Sequence, residues 1–280
     1  MIMHLMEHTT RREILATPTP ETLFRGNSIA TKLIDVYMKM IGFPYLHKTL
    51  QHLIRPIFAL KKAVELDPSK IEKGEDPARN AKVLIEYIDS FLSSIFQSLD
   101  DCPSVLKCIF AHMRKQVEER FQDHPDLPTV RHTVVSSMIF LRFFVPAILN
   151  PKLFEMMEDF ANEKASRTLT LIAKTIQNLA NLVEFGEKES YMLPLNATIS
   201  HRIPDMQAFL EAISQTSDSF EFSMHDCSDS EPIWLEKELA TIHHIISDNF
   251  STIEQHCDLT FVSLLKDCLS NIDIFVQSIS

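Results

Sequence analysis

Apolar residues recur at helical spacing along most of this 280-residue chain. Ile29, Leu33, Val36, Tyr37 and Met40 fall at intervals that line one side of a helix. They predict a helix that is capped by Asn27 or Ser28 and runs to about Ile41. Gly42 and Pro44 are expected to stop it. A second helix is expected over about Tyr45 to Phe58, and LDPSKIEKGEDPAR after it reads as a charged loop. Ala81 to Leu99 and Val105 to Phe121 carry further amphipathic patterns. HPDLP then leads into a very apolar helix, Val130 to about Val145, with Pro146 at its expected end. Asn150-Pro151 opens a new turn, Ser166 to about Glu184 reads as a long helix, and Pro204 to Ile213 as a shorter one. Residues 214–232, SQTSDSFEFSMHDCSDSEP, are polar and acidic, the composition of a loop or linker. Trp234 to about His256 and Leu259 to Ile279 read as two closing helices. No credible strand run exceeds four residues, so the expected class is all-α. The expected organisation is an N-terminal extension over 1–21, ending in the helix-hostile TPTPE, a core over 22–213, the acidic segment over 214–232, and C-terminal helices over 233–280 that complete the domain.

Composition narrows this picture. Only four residues are glycine, too few for the turns of a β-sandwich or the phosphate loops of a Rossmann fold. The balance of 45% hydrophobic and 23% charged residues is that of a globular protein. The net charge of −11, from 27 basic and 38 acidic residues, disfavours a nucleic-acid partner, because affinity for phosphates comes from cations. The five cysteines are odd in number and contain no C-x-x-C pair, so reduced thiols are expected rather than a disulfide framework or a zinc site. The twelve histidines show no ligand spacing, and no metal site is expected. No segment reaches the roughly 20 apolar residues of a membrane span, and the first residues lack the layout of a signal peptide. The expected location is cytoplasmic, with any recruitment to the plasma membrane supplied by other domains or partners.

Three places break the helical pattern. Arg142 lies inside SSMIFLRFFVPAIL, where a guanidinium must be paired or hydrogen-bonded. Its five donors could meet an ordinary ion-pair partner or a set of loop carbonyls, and the residues alone leave both open. Arg25, in TLFRGNSIA, sits on a loop just before a helix N-terminus, where the helix dipole mildly disfavours a cation. Taken alone, it reads as a solvated arginine. The third place is TLTLIAKTIQNLANLVEFGEKE. Ile172, Ile176, Leu179 and Val183 form one apolar face, while Lys174, Asn178, Asn181 and Phe185 form another that Lys188 would continue. Lys174, Asn181 and Lys188 align if the helix extends that far, giving either a solvated face or a local positive patch for an anionic partner surface. No G-x-x-x-x-G-K-[ST], G-x-S-x-G or G-x-G-x-x-G string occurs, so a self-contained active site is not expected.

The same three places carry a family resemblance. TLFRGNSIATK, FLRFFVPAILNPKLF and TLTLIAKTIQNLANLVEFGEKESY resemble, in order and separation, the signature blocks of the Ras GTPase-activating proteins, a family that includes neurofibromin and the activating protein with SH2 domains. DPSKIEKGED resembles the family's central loop, and ELATIHHIISDNF more loosely resembles a later helix. The likeness is close over roughly residues 22–200. It implies an all-helical domain with a finger loop and a shallow groove for the GTPase. It implies that Arg25 is the catalytic arginine finger and that Arg142 steadies the finger loop. Leu141, Lys174, Asn181 and Lys188 match residues that meet the GTPase. The implied activity is stimulation of GTP hydrolysis by a GTP-bound Ras- or Rap-type partner, ending its signal. The chain would need no cofactor of its own, since GTP and magnesium are held by the partner. Family members without the finger arginine act as non-catalytic scaffolds, and that is the alternative. The chain departs from some relatives in reading His132 to Ser137 where they carry TRVVSG. The FRGNS form also resembles branches that act on Rap as well as Ras, so the resemblance leaves the partner open between them.

Overall fold

The computed structural model describes residues 2–215, 243–257 and 259–279. These fall into two units: residues 2–215 belong to one, and the described residues from 243 onward to the other. Among the described residues the regular structure is helical and there is no strand.

The first unit begins with α1 (Ile2–Ala16), which packs against α2 (Ile29–Leu46) and α5 (Ser104–Arg120). Met6 and Ile14, 2% and 1% exposed, join α1 to the core, although it lies in the segment expected as an extension. A π turn, His47–Gln51, carries α2 into α3 (His52–Phe58). After an irregular charged segment come α4 (Pro77–Gln97), α5 and α6 (Leu127–Ile139). A second π turn, Phe140–Phe144, joins α6 to α7 (Val145–Leu149). Then follow α8 (Glu163–Ala180) and α9 (Asn196–Ile213). Packed against α3, α4, α7 and α9, α8 runs through the centre of the unit.

Aromatic side chains fill the middle of this unit. Phe140, Phe143 and Phe144 are fully buried. Tyr45 packs edge-on against Phe144 at 5.7 Å, and Phe140 meets Phe209 of α9 at 6.0 Å. Burying each such side chain contributes about 1.5–3 kcal/mol. The run Leu127–Leu149 is long and apolar enough in composition to cross a membrane, but 72% of its most apolar window is buried inside the protein. It reads here as a core helix.

Several boundaries differ from the pattern reading. α2 passes through Gly42 and Pro44 instead of stopping. Gly42 is there because the Phe143 ring leaves no room: a Cβ would lie 2.4 Å from Phe143 Cζ. Pro146 does not end its helix either. It falls at the start of α7, directly after the π turn, where proline is tolerated. α9 starts at Asn196, ahead of the expected Pro204.

α8 ends at Ala180, short of the expected Glu184. Leu182 takes a left-handed conformation, φ 58°. The Val183 N–H then bonds back to the Asn178 carbonyl at 3.0 Å, and the helix is closed. Val183, expected on the apolar face, is therefore 50% exposed, and Phe185, expected on the polar face, is buried at 4%.

In the second unit, residues 243–248 are helical, followed by α10 (Phe250–His256) and α11 (Leu259–Ile279). The acidic segment expected over 214–232 lies, beyond Gln215, outside the described residues, as does the start of the helix expected at Trp234.

Candidate functional site

The site begins at the loop before α2. Leu23 and Phe24 are buried, at 2% and 0% exposed, and anchor the loop in the core. Phe24 adopts φ 55°, a conformation that costs a bulky residue about 1 kcal/mol or more. The next residue, Arg25, is exposed; its N–H donates to the Thr22 carbonyl at 3.3 Å, and its side chain makes no hydrogen bond or ion pair among the described residues. Burial of Phe24 thus holds the backbone in a turn that leaves the neighbouring cation in solvent.

Arg142 answers the question left open by its sequence. Its Nη2 donates to the Phe24 carbonyl at 2.9 Å and to the Gly26 carbonyl at 2.5 Å. These peptide groups flank Arg25, so the guanidinium holds loop carbonyls rather than a carboxylate. The π turn Phe140–Phe144 carries it there. An inserted residue of this kind rotates the side chains that follow, and such turns recur at functional sites. Within the same turn Phe140 and Phe143 are fully buried, Arg142 is half-buried, and Leu141 is 36% exposed. Leu141 therefore leaves an otherwise core-facing run to meet solvent.

The loop is also held from α2. Ser28 is the N-cap of α2, its Oγ accepting the Thr31 N–H at 3.1 Å. The Thr31 hydroxyl donates to the Gly26 carbonyl at 3.1 Å. From α1, the Glu13 carboxylate accepts the Ser28 hydroxyl. None of Phe24, Glu13 or Thr31 was singled out from sequence, since their roles depend on contacts a local pattern does not encode.

The end of α8 forms the second part. Asn181 is the C-cap residue and is half-buried. Lys188 is exposed on the 3-10 stretch Glu187–Leu195. Because α8 stops at Ala180, Lys174, Asn181 and Lys188 do not share one helix face as expected. Lys174 forms an ion pair with Glu189, and that hydrogen bond, against some opposing burial, holds the amine above its usual range. The segment after α8 is pinned by a reciprocal pair, Phe185 N–H to Asn196 Oδ1 at 2.9 Å and Asn196 Nδ2 to Phe185 O at 3.0 Å. Glu189 and Asn196 are site-shaping residues that the sequence reading missed.

α6 links the two parts. Buried Ser136 donates to the Ala180 carbonyl, the last of α8, at 2.6 Å. The helix that carries Arg142 to the loop is thus also bonded to the end of α8. Among the described residues no hydrogen bond joins the Arg25 loop to α8 directly.

The charged segment beside α8 is anchored separately. Glu65 is 4% exposed and accepts Arg167 Nε at 2.6 Å and Nη2 at 2.7 Å. It also accepts the Leu66 and Asp67 N–H groups, each at 2.9 Å. Burial pushes its carboxyl pKa up, but the bonds from Arg167 and the backbone outweigh this and hold it below the ordinary range. Among the described residues no group of three or more His, Cys, Asp or Glu side chains could hold a metal ion.

Comparison with known proteins identifies the family. The family described as "GTPase-activator protein for Ras-like GTPase" matches residues 5–82 and 75–181, and the chain belongs to it. It is 42% identical over 258 residues to "Probable Ras GTPase-activating-like protein ngap" of Dictyostelium discoideum, covering 90% of this chain and 28% of that protein. It is 46% identical over 183 residues to "Ras GTPase-activating protein 3" of Rattus norvegicus, covering 64% of this chain and 22% of the relative. It is 36% identical over 245 residues to "Ras GTPase-activating protein 1" of Homo sapiens, covering 86% and 23%. The chain thus spans about a quarter of the length of these relatives.

Proposed function

We propose that this chain stimulates GTP hydrolysis by a Ras-type small GTPase, placing Arg25 in trans beside the GTP and magnesium held by its partner. The observation that carries this reading is the Arg142 bridge: one half-buried guanidinium fixes the carbonyls on both sides of an exposed arginine whose side chain has no partner among the described residues. An arginine held this way can stabilise charge that develops on the transferred phosphoryl group and the leaving oxygens. Donated in trans, such a residue is generally worth about a thousand- to a hundred-thousand-fold in rate. Because the loop is fixed before the partner arrives, little ordering remains for the transition state.

The rest of the site is proposed to dock the GTPase. Exposed Leu141 offers apolar contact beside the finger. Asn181 offers a carboxamide at the end of α8, and Lys188 a cation on the 3-10 stretch that follows. Lys174, tied to Glu189, shapes that end. The GTP-bound form of a Ras- or Rap-type GTPase is the proposed partner, met in the cytoplasm or at the membrane face to which other segments or proteins bring this chain.

The test is to mix the chain with GTP-loaded Ras and, separately, Rap, and to follow phosphate release. Strong acceleration of either supports the reading. Binding without acceleration would instead make the chain a GTPase-binding scaffold.

A further inference from the structure

We infer that Glu13, on α1, is a positioning residue for the Arg25 loop, so that α1 belongs to the activating machinery. This inference rests on the function proposed above.

Arg142 grips the loop at residues 24 and 26. The far side of the loop is gripped at residue 28. Ser28 has one hydroxyl proton, and its Oγ has two donor targets: the Glu13 carboxylate and Thr31 Oγ1, the latter at 3.2 Å. A hydroxyl donates once, and a charged acceptor is the stronger partner. Glu13 thus takes the Ser28 proton. Ser28 Oγ then acts purely as an acceptor toward α2 and caps the Thr31 N–H. The Thr31 hydroxyl keeps its own proton, which it shares between the Gly26 carbonyl at 3.1 Å, the same oxygen that Arg142 holds, and the Ser28 carbonyl at 3.0 Å. One polar chain therefore runs from Glu13 through Ser28 and Thr31 to Gly26, and ends on Arg142.

The carboxylate of Glu13 also lies at the N-terminus of α2, where the helix dipole favours an anion. Its own position is fixed by the next residue, Ile14, which is 1% exposed in the core. Arg25 sits within the first grip, three residues before the second. Removing the grip at residue 28 leaves the loop attached but lets it sample more conformations. Arg25 then occupies its productive place for less of the time. The cost falls on the rate within the complex, because Glu13 lies behind the loop and is not among the residues proposed to touch the GTPase.

The experiment compares the full chain as wild type, Glu13→Ala, Glu13→Gln, Ser28→Ala and the Glu13→Ala/Ser28→Ala double variant. Three quantities are measured: the single-turnover rate on GTP-loaded Ras at saturating activator, the Kd for the GTP-bound form, and tryptic cleavage at the Arg25–Gly26 bond in the free protein. Glu13→Ala should lower the saturated rate about tenfold, the scale of one lost charge-assisted hydrogen bond, with Kd within about twofold of wild type. Glu13→Gln keeps an acceptor for Ser28 and should recover most of the rate. Glu13→Ala should add little in the Ser28→Ala background. Cleavage after Arg25 should accelerate in Glu13→Ala and not in Glu13→Gln. An unchanged saturated rate with unchanged cleavage would overturn the inference, as would equal losses in Ala and Gln variants that follow thermal unfolding. If the wild type stimulates neither Ras nor Rap, the proposed function fails, and the cleavage measurement alone decides whether Glu13 holds the loop.

Discussion

Arg142 and Gly26 are joined by a 2.5 Å hydrogen bond from Nη2 to the backbone carbonyl, and the same nitrogen reaches the Phe24 carbonyl at 2.9 Å. Because both acceptors are neutral, the positive charge of Arg142 is not cancelled, and it adds to that of Arg25 beside it. On the function proposed above, the pair would present two cations to an anionic partner in an otherwise acidic protein. Arg142→Lys is not expected to reproduce the bridge, since a shorter side chain would have to bring a compact, more strongly hydrated ammonium to the place where Nη2 now sits. The saturated rate of stimulated hydrolysis should fall on the order of tenfold to a hundredfold, the penalty for misplacing a reacting group by about an ångström. The unfolding temperature should change less than in a core truncation. Single-turnover kinetics beside a thermal melt checks both.

Gly42→Ala tests the packing under that bridge. Alanine favours a helix over glycine by about 1 kcal/mol. Here its Cβ would lie 2.4 Å from the Cζ of fully buried Phe143, and overpacking of this kind costs about 1–3 kcal/mol. A net loss of stability is expected despite the better propensity. Phe143 follows Arg142 in the π turn, so the variant should also lose activity. A melt with a raised midpoint would show that the ring yields freely.

Acid should act on the Glu65–Arg167 pair. Glu65 has a folded pKa below its ordinary value. Its contribution is therefore fully present above the unfolded carboxyl pKa of about 4.3 and fades as pH falls through the lower folded value. Glu65→Ala leaves Arg167 half-buried without its carboxylate and should cost about 3 kcal/mol at neutral pH. Denaturant melts at pH 7 and below pH 4 should show the wild type approaching the variant in acid.

Lys188→Glu reverses an exposed cation on the 3-10 stretch that follows α8. It should weaken binding to the GTP-bound GTPase, mostly through slower association, and the loss should shrink as salt is raised. Kinetic binding at two ionic strengths checks this. An unchanged association rate at low salt would remove Lys188 from the docking surface.

The outline of this protein was legible where chemistry violates a local pattern. A cation amid Phe140, Leu141, Phe143 and Phe144 cannot be ordinary core, so Arg142 stands out, and the cap chemistry of Asn27 or Ser28 marks the start of α2, where Ser28 is the cap. What the pattern did not carry was long-range. Gly42 has the local chemistry of a helix stop, and only Phe143, from a distant helix, makes it a packing glycine. The π turns leave no residue-type signature, which hid the geometry that aims Arg142 at the loop. Leu182 has no sequence mark of a left-handed residue, so α8 was read too long and the alignment of Lys174, Asn181 and Lys188 with it. Glu65 with Arg167, and Glu13 with Ser28, pair residues whose partnership exists only in the fold.

The most direct test is single-turnover GTP hydrolysis by Ras with the wild-type chain and with Arg25→Ala, alongside the affinity of each for the GTP-bound form. Strong stimulation by the wild type is expected, with a loss of about a thousandfold or more in the variant and binding largely retained. Equal stimulation by both chains would show that Arg25 is not the residue donated to the GTPase.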